Sequence, residues 1–226
     1  MAPLTPSFRL HAANTGDDLV FEPGRLIVAG YTGRDTEAVR EHIDELAAIG
    51  VPPPPSVPAF YDLDPALLTT GPIIRVAGDN TSGEAEPVLI RHDGRYYLGV
   101  GSDHTDRDLE RTDIAESKAA CPKPFADRVL TLPEDLSTLD WDGIALASTV
   151  DGVEYQRGTL AALRTPDDLL ARLADTLGEL VGDLIVFGGT LPLLTGAFRP
   201  GTRWRAVLRD GATTLACSYD TERRTS

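Results

Sequence analysis

The sequence predicts a mixed α+β fold in which strands dominate, and three observations support this prediction. A short apolar run near the N-terminus leads into an amphipathic helical pattern. The centre of the chain carries short strand-like runs separated by turn residues. A second helical pattern with clear start signals follows late in the chain, and further strand-like runs come after it.

The first apolar run, RLIVA at Arg25–Ala29, is rich in branched residues and ends at Gly30, so it predicts a buried strand. A helix is expected next, because Asp35 can cap its first turn and Gly50 can end it. The apolar residues that recur at the spacing of one helical face are Val39, Ile43, Leu46 and Ala47. This pattern is typical of an amphipathic helix.

A proline-rich segment, VPPPPSVPAFYDL, follows this helix. It holds five prolines in eight residues, so it can neither continue the helix nor enter the interior of a sheet. We expect a rigid extended arm that packs against the protein, because Phe60 and Tyr61 favour docking. A disordered linker is the alternative interpretation.

The central strands begin with IIRVAG at Ile73. The runs EPVLI and RYYLGVG come next, separated by His92-Asp93-Gly94, which is a strong short-range signal for a β-hairpin.

The late helix begins at Thr165-Pro166-Asp167-Asp168, which offers a cap residue, proline at the first helical position and an acidic residue. Leucines at 169, 170, 173, 177 and 180 supply its apolar face. The predicted strands DLIVFGG and RWRAVLRD then close the chain.

Length and charge narrow the class of protein. The 226 residues fit a single domain, residues 1–226, that buries its own core. A formal charge of −14, without a basic stretch, disfavours nucleic acid and anionic membranes as partners. The two cysteines do not form a disulfide scaffold, and no apolar run approaches the roughly 18 residues of a membrane span. We therefore expect a soluble cytoplasmic protein.

Three carboxylates predict a metal site. Glu84 and Glu86 point to the same face if they lie on a strand, and the hairpin can bring Asp103 back beside them. Such a set suits a hard divalent cation, magnesium or manganese, with calcium as a further alternative. Zinc is less favoured, although His104 keeps it open. Taken alone, the glutamate pair would be interpreted as part of a solvated outer face, and the metal site depends on Asp103 joining it.

The motifs EAE, SDHTDRDLE and SKAACPKP resemble successive motifs of the fumarylacetoacetate hydrolase superfamily. Together with GYTGRD, they are similar to an uncharacterised bacterial branch of it. By this resemblance Glu84, Glu86 and Asp103 are metal ligands and Lys118 is the active-site lysine. Arg107, the arginine of a D-x-x-x-R-D segment, is expected to bind substrate. GDLIVFGGTLPLLTG resembles the segment that carries a substrate-contacting threonine, here Thr190.

The family also has an H-x-x-E pair on a lid element, which His42 and Glu45 match three residues apart on the first predicted helix. A partly buried core histidine is the alternative for His42. Two departures bear on substrate binding: Arg34 is an added arginine in GYTGRD, and Glu110 stands where glutamine is common. For Arg34 and Arg107 the alternative is an ordinary ion pair with nearby Asp35 or Asp108.

The resemblance implies a mixed β-roll with short flanking helices, assembled as a homodimer. Residues 1–70 would form an N-terminal segment with the lid-like helix and the proline-rich arm, and residues 71–226 the catalytic core. The implied enzyme is a hydrolase or lyase that acts on a C–C bond of a small 1,3-dicarbonyl or 2-oxo acid through a metal-bound enolate. The alternatives are a hydratase or dehydratase of a sugar-derived acid, and a non-catalytic metal-binding dimer.

Overall fold

Two β-sheets pack against one another in the computed structural model, which describes residues 5–48 and 53–224. In chain order, the strands of these residues are β1 (Phe8–Ala12), β2 (Asp18–Phe21), β3 (Arg25–Gly30), β4 (Ala59–Leu63), β5 (Leu68–Thr69), β6 (Ile73–Val76), β7 (Thr81–Ser82), β8 (Ala85–His92), β9 (Arg95–Ser102), β10 (Thr105–Asp106), β11 (Lys123–Pro124), β12 (Arg128–Thr131), β13 (Ala145–Val150), β14 (Val153–Thr159), β15 (Leu184–Phe187), β16 (Arg203–Asp210) and β17 (Thr213–Arg223). The helices are α1 (Thr36–Ala48), α2 (Arg107–Glu110), α3 (Ile114–Ala119) and α4 (Pro166–Leu177). The described chain is thus mostly β with few helices, as the sequence predicts.

The large sheet has the strand order β2-β1-β12-β9-β8-β15-β3-β4 and curls into a half barrel. The small sheet has the order β14-β13-β16-β17-β6. Strands β1 to β4 come from the first seventy residues, so this N-terminal segment builds part of the large sheet. The roll form implied by the resemblance stays a prediction.

The core has two parts because both faces of the large sheet are buried. Leu89 and Leu98 on one face pack with small-sheet residues such as Leu208. On the other face, inside the curl, Val88 and Ile90 pack with Phe187 and its neighbours. Burial on both faces explains why β8 carries a continuous apolar run rather than an alternating pattern.

Most predicted elements are confirmed. The hairpin β8–β9 turns at Asp93 and Gly94, whose φ angles of 48° and 78° are those of a tight two-residue hairpin turn. In helix α1, Asp35 caps the first turn by accepting from the backbone amides of Glu37 and Ala38. Gly50, expected to end this helix, lies outside the described residues. Helix α4 begins at Pro166 and buries Leu169, Leu170 and Leu173. Thr165 makes no capping hydrogen bond, and Leu180 lies beyond the end of the helix at Leu177.

The proline-rich segment leads into an edge strand. Phe60 and Tyr61 lie in β4, which pairs antiparallel with β3 at the rim of the large sheet. The docked interpretation is therefore confirmed for residues 59–63. The expectation that the strand RWRAVLRD closes the chain is wrong. This strand is β16, and β17 follows it and pairs with every residue of β16. No helix in the described ranges has the length and apolar character needed to cross a membrane.

Candidate active site

The base of the β8–β9 hairpin is the centre of the candidate site. Ala85 and Ser102 are partners in the ladder, and the Asp103 amide donates to the Glu84 carbonyl at 2.9 Å. Glu86 lies in β8 on the same face as Val88, and Glu84 lies directly before the strand, two residues from Glu86. The hairpin thus carries three acidic residues to one end of the large sheet.

Asp103 is fully buried between two lysines. One carboxylate oxygen accepts from the Lys118 ammonium group, and the other lies 3.1 Å from the Lys123 nitrogen. Burial alone would raise the pKa of Asp103, but the two ammonium groups hold it well below its usual range. Burial likewise disfavours the charged lysine, yet Asp103, Glu84 and Glu86 raise the pKa of Lys118 above its usual value. Lys118 is therefore an ammonium ion at neutral pH.

Lys123 is not among the residues that the sequence assigns to the site, because a single lysine in a sequence is usually a surface charge. Its side chain is completely buried and donates to the carbonyl oxygens of His104, Lys118 and Cys121. Burial lowers the pKa of Lys123, against the opposing effect of Asp103. The signal in the sequence is its position in SKAACPKP, five residues after Lys118 and between two prolines.

Glu86 differs from its neighbours in lacking a cationic partner. Its carboxylate accepts from the Gly189 amide at 2.9 Å, and no cation among residues 5–48 and 53–224 forms an ion pair with it. Burial and then the nearby Asp103 charge raise its pKa well above the usual value. A buried carboxylate of this kind favours a neighbouring cation or a bound proton.

Gly189 reaches Glu86 only because it has no side chain. Its φ is 97°, and a Cβ there would lie 1.7 Å from the hydroxyl oxygen of Thr32. The loop after β15 therefore needs glycine at position 189, both for the positive φ and for the close approach to Thr32.

Arg107 is buried, and each of its three guanidinium nitrogens has a hydrogen-bond acceptor within the protein. Nε donates to the Ser82 hydroxyl, one terminal nitrogen donates to both oxygens of Glu110, and the other donates to Glu84 and the Ser82 carbonyl. The Phe198 ring covers its guanidinium at 3.6 Å. Arg107 therefore holds the carboxylates of Glu84 and Glu110 in place.

The other predicted substrate-binding residues also have partners within the protein. Arg34 forms a bidentate pair with Asp142, at 2.9 and 2.7 Å, and donates to the Leu163 carbonyl. The Thr190 hydroxyl donates to the Ala85 carbonyl at 3.0 Å and accepts from Gln156 at 2.6 Å. The structure thus places Thr190 at the base of the hairpin and ties Arg34 to Asp142.

His42 and Glu45 belong to helix α1, but their side chains lie outside the part of the chain that the structure describes. Their predicted role in activating water stays a prediction.

Two tyrosines that the sequence did not assign lie beside the lysine. The Lys118 nitrogen is 5.7 Å from the centre of the Tyr61 ring. Burial raises the pKa of Tyr61 to about 12 and also raises that of Tyr31, which stands at a φ of 57° just after β3. Both phenols are therefore protonated at neutral pH and can donate hydrogen bonds.

The donor set fits a divalent metal ion in its chemistry. Glu84, Glu86 and Asp103 offer only oxygen ligands, which hard cations prefer. Their oxygens do not all lie within 4.8 Å of one another, since Asp103 faces the lysines and Glu84 faces Arg107. Glu86, which is buried without a cation, is the observation that a bound metal ion would explain.

A second set of potential metal ligands lies at the tip of the hairpin. Within the described residues, ligand atoms of His92, Asp93 and Asp183 all lie within 4.8 Å of one another. The His92 Nδ1 is 2.6 Å from an Asp183 oxygen, so this pair also joins the turn to the start of β15. Strand β8 separates this group from the three acids by roughly 25 Å of extended chain.

Comparison with known proteins identifies a sequence family and a fold. The family described as "Protein of unknown function (DUF2848)" matches residues 29–219. No curated protein matches the chain.

Solved structures with the same fold include a candidate fumarylpyruvate hydrolase from Burkholderia cenocepacia, with a TM-score of 0.68, 17% identity, and coverage of 100% of this chain and 95% of that one. A candidate fumarylacetoacetate isomerase/hydrolase from Oleispira antarctica has a TM-score of 0.64 and 17% identity over 94% of this chain and 99% of that one. A 5-carboxymethyl-2-hydroxymuconate delta-isomerase from Mycobacterium smegmatis has a TM-score of 0.59 and 16% identity over 93% and 84%. At such identities the likeness shows the fold, and it is the fold of fumarylacetoacetate hydrolase-family proteins.

Proposed function

Because this chain belongs to the DUF2848 family and has the fold of fumarylacetoacetate hydrolase-family proteins, we propose that it is a metal-dependent hydrolase or decarboxylase. Its substrate would be a small 1,3-dicarbonyl compound or 2-oxo acid, cleaved at a C–C bond next to a carbonyl group. Glu84, Glu86 and Asp103 would hold the metal, magnesium or manganese. The observation that carries this proposal is Glu86, a buried carboxylate without a cationic partner in the described chain.

Charge balance supports a cation at this point. Asp103 has two lysine partners and Glu84 has Arg107, while Glu86 has only a backbone amide. The Lys118 charge acts on Glu86 without forming an ion pair, and a buried carboxylate left unpaired costs several kcal/mol, in order of magnitude, unless it is protonated. A divalent ion held by Glu86 together with Glu84 and Asp103 would remove this cost.

Cleavage next to a carbonyl group builds negative charge on the carbonyl oxygen. A bound divalent cation supplies Lewis-acid stabilisation of that charge. Lys118 adds to it, because its ammonium group is charged and lies against Asp103. In the metal-free protein Asp103, Glu84 and Glu86 raise the pKa of Lys118, and we assign this residue an electrostatic role.

Tyr31 and Tyr61 would orient the substrate, since both keep their phenolic protons at neutral pH. Arg107 does not pair with a substrate carboxylate in this scheme, because its donors hold Glu84 and Glu110. The substrate's acid group would therefore depend on the metal and on Lys118.

Isomerisation is the second candidate reaction. Two of the similar solved structures are described as isomerases, a 5-carboxymethyl-2-hydroxymuconate delta-isomerase and a 2-hydroxyhepta-2,4-diene-1,7-dioate isomerase. Isomerisation needs the same stabilised oxygen anion but no attacking water. The role of His42 and Glu45 separates hydrolysis from isomerisation, because only hydrolysis uses the water that this pair would activate.

Calorimetric titration of chelator-treated protein with MgCl₂, MnCl₂ and CaCl₂ tests the metal site. Wild type should bind one ion per chain, and Glu86→Gln and Asp103→Asn should weaken binding by more than the roughly 10–100-fold that follows loss of a supporting residue. Oxalate, which mimics a 2-oxo acid, should bind only after the metal. Small oxo acids are then screened for turnover.

Asp183→Asn is the matched control, because it removes a carboxylate from the second potential ligand group at the hairpin tip. It should leave the affinity unchanged. Binding that survives Glu86→Gln but disappears in Asp183→Asn would move the metal to the hairpin tip and overturn the proposal. Absence of binding by wild type would also overturn it.

A further inference from the structure

Strand β8 has an open edge next to the two glutamates. On that side β15 pairs with β8 as far as Val88 and Phe187, and the Gly188 amide donates to the Pro87 carbonyl at 2.9 Å. Beyond this point β15 has ended, so it offers no further ladder partner. Ala85 is only 2% exposed, and its amide and carbonyl need hydrogen-bond partners from elsewhere.

Two side chains replace the missing strand. The Ala85 amide donates to the Gln156 side-chain oxygen at 2.9 Å, and the Thr190 hydroxyl donates to the Ala85 carbonyl at 3.0 Å. The Gln156 amide nitrogen in turn donates to the Thr190 hydroxyl at 2.6 Å. These three bonds close a ring around the Ala85 backbone, which we call the Ala85 clamp.

Gln156 has no exposed surface, and its amide group is fully used. Its nitrogen also donates to the Leu191 carbonyl at 2.8 Å, and its oxygen also accepts from the Ser148 hydroxyl at 2.8 Å. Because Gln156 lies on β14, the clamp connects Ala85 to the small sheet. The strand that carries the glutamates is thus held by the sheet to which it does not belong.

We propose that Gln156 and Thr190 are positioning residues that set the directions of Glu84 and Glu86 for cation binding. Ala85 lies between the two glutamates, so the orientation of its peptide groups determines where both carboxylates point. This inference rests on the proposed function and assigns Thr190 a role in holding the site rather than in touching substrate.

The test measures Mn²⁺ affinity by calorimetry and the melting temperature in parallel, on the full chain. Gln156→Met removes the amide at similar length, and Thr190→Val removes only the hydroxyl. Each should weaken Mn²⁺ binding by about 10–100-fold, the range for residues that orient metal ligands. The double variant should lose less than the product of the two single losses, because both changes open the same clamp.

Two controls separate positioning from general stability. Thr190→Ser keeps the hydroxyl and should restore near wild-type affinity. Ser148→Ala removes the hydrogen bond to Gln156 that lies outside the clamp, and should leave affinity unchanged even where it lowers the melting temperature.

The outcomes distinguish this inference from the proposed function. Wild-type affinity in folded Gln156→Met and Thr190→Val, even with lowered melting temperatures, would overturn the positioning role alone. Where Gln156→Met does not fold, Thr190→Val decides the question by itself. Absence of Mn²⁺ binding by wild type would overturn the proposed function and this inference together.

Discussion

Acid should destabilise this protein through His104. The imidazole is completely buried and has a partner at each ring nitrogen, the Tyr219 hydroxyl at 3.0 Å and the Thr81 hydroxyl at 3.0 Å. Burial, and then the nearby Lys123 and Arg107 charges, lower the pKa of His104 to about 3. The native state therefore holds this histidine neutral over the whole range in which an exposed histidine takes up a proton.

The sign and size of the effect follow from linkage. In the unfolded chain the imidazole has its ordinary pKa of about 6.5, so below that pH the unfolded state binds a proton that the native state does not. As far as His104 is concerned, the free energy of unfolding is therefore highest above pH 6.5 and decreases as the pH falls towards 3. Between pH 7 and pH 5 the free energy of unfolding should drop by about 2 kcal/mol from this group alone.

Urea unfolding of wild type and His104→Gln at pH 7 and pH 5 measures this difference. Glutamine keeps a donor and an acceptor but does not titrate, so the variant should lose about 2 kcal/mol less than wild type between the two pH values. With a typical dependence on urea, this corresponds to a midpoint difference of about 1 M. Equal losses in the two proteins would refute the assignment to His104.

Three further predictions concern the site. Lys123→Met should reduce the free energy of unfolding by about 3–5 kcal/mol, because it leaves buried Asp103 and three carbonyl groups short of a donor. A loss below about 1 kcal/mol in urea unfolding would contradict this. Gly189→Ala should lower the free energy of unfolding by about 1–3 kcal/mol more than Gly196→Ala in the same assay. Both glycines have positive φ, but only a Cβ at position 189 would meet a threonine hydroxyl, that of Thr32. Equal losses in the two variants would count against this clash. Arg34→Gln should leave oxalate affinity of the metal-loaded protein unchanged, because Asp142 already holds that guanidinium; tenfold weaker binding would show that Arg34 reaches the substrate.

Local signals were sufficient for the elements that carry their own start and stop residues. The sequence Asp93-Gly94 predicts the hairpin, because a tight two-residue turn needs positive φ at both positions and these two residues adopt it. Helix α4 follows from Pro166 and the leucines behind it. Strands β1 and β2 were missed, since strands of five and four residues are recognisable only when their partners are known. Strand β17 was missed although it has 11 residues and follows the turn sequence Asp210-Gly211, which is a hairpin signal.

At the site, the sequence by itself determined which residues share the base of the hairpin. The spacing of Glu84 and Glu86 and the tight turn bring both next to Asp103, because strand alternation and hairpin register are local properties.

Tertiary structure alone decided what each side chain binds. Lys123 is buried against Asp103, Arg107 binds Glu84 and Glu110, and Gln156 reaches across from the small sheet to Ala85. Sequence reasoning placed Arg107 with the substrate and gave Lys123 and Gln156 no role. The physical reason is distance along the chain: Gln156 and Ala85 are 71 residues apart. A hydrogen bond between such segments depends on how the two sheets pack, which no local pattern specifies.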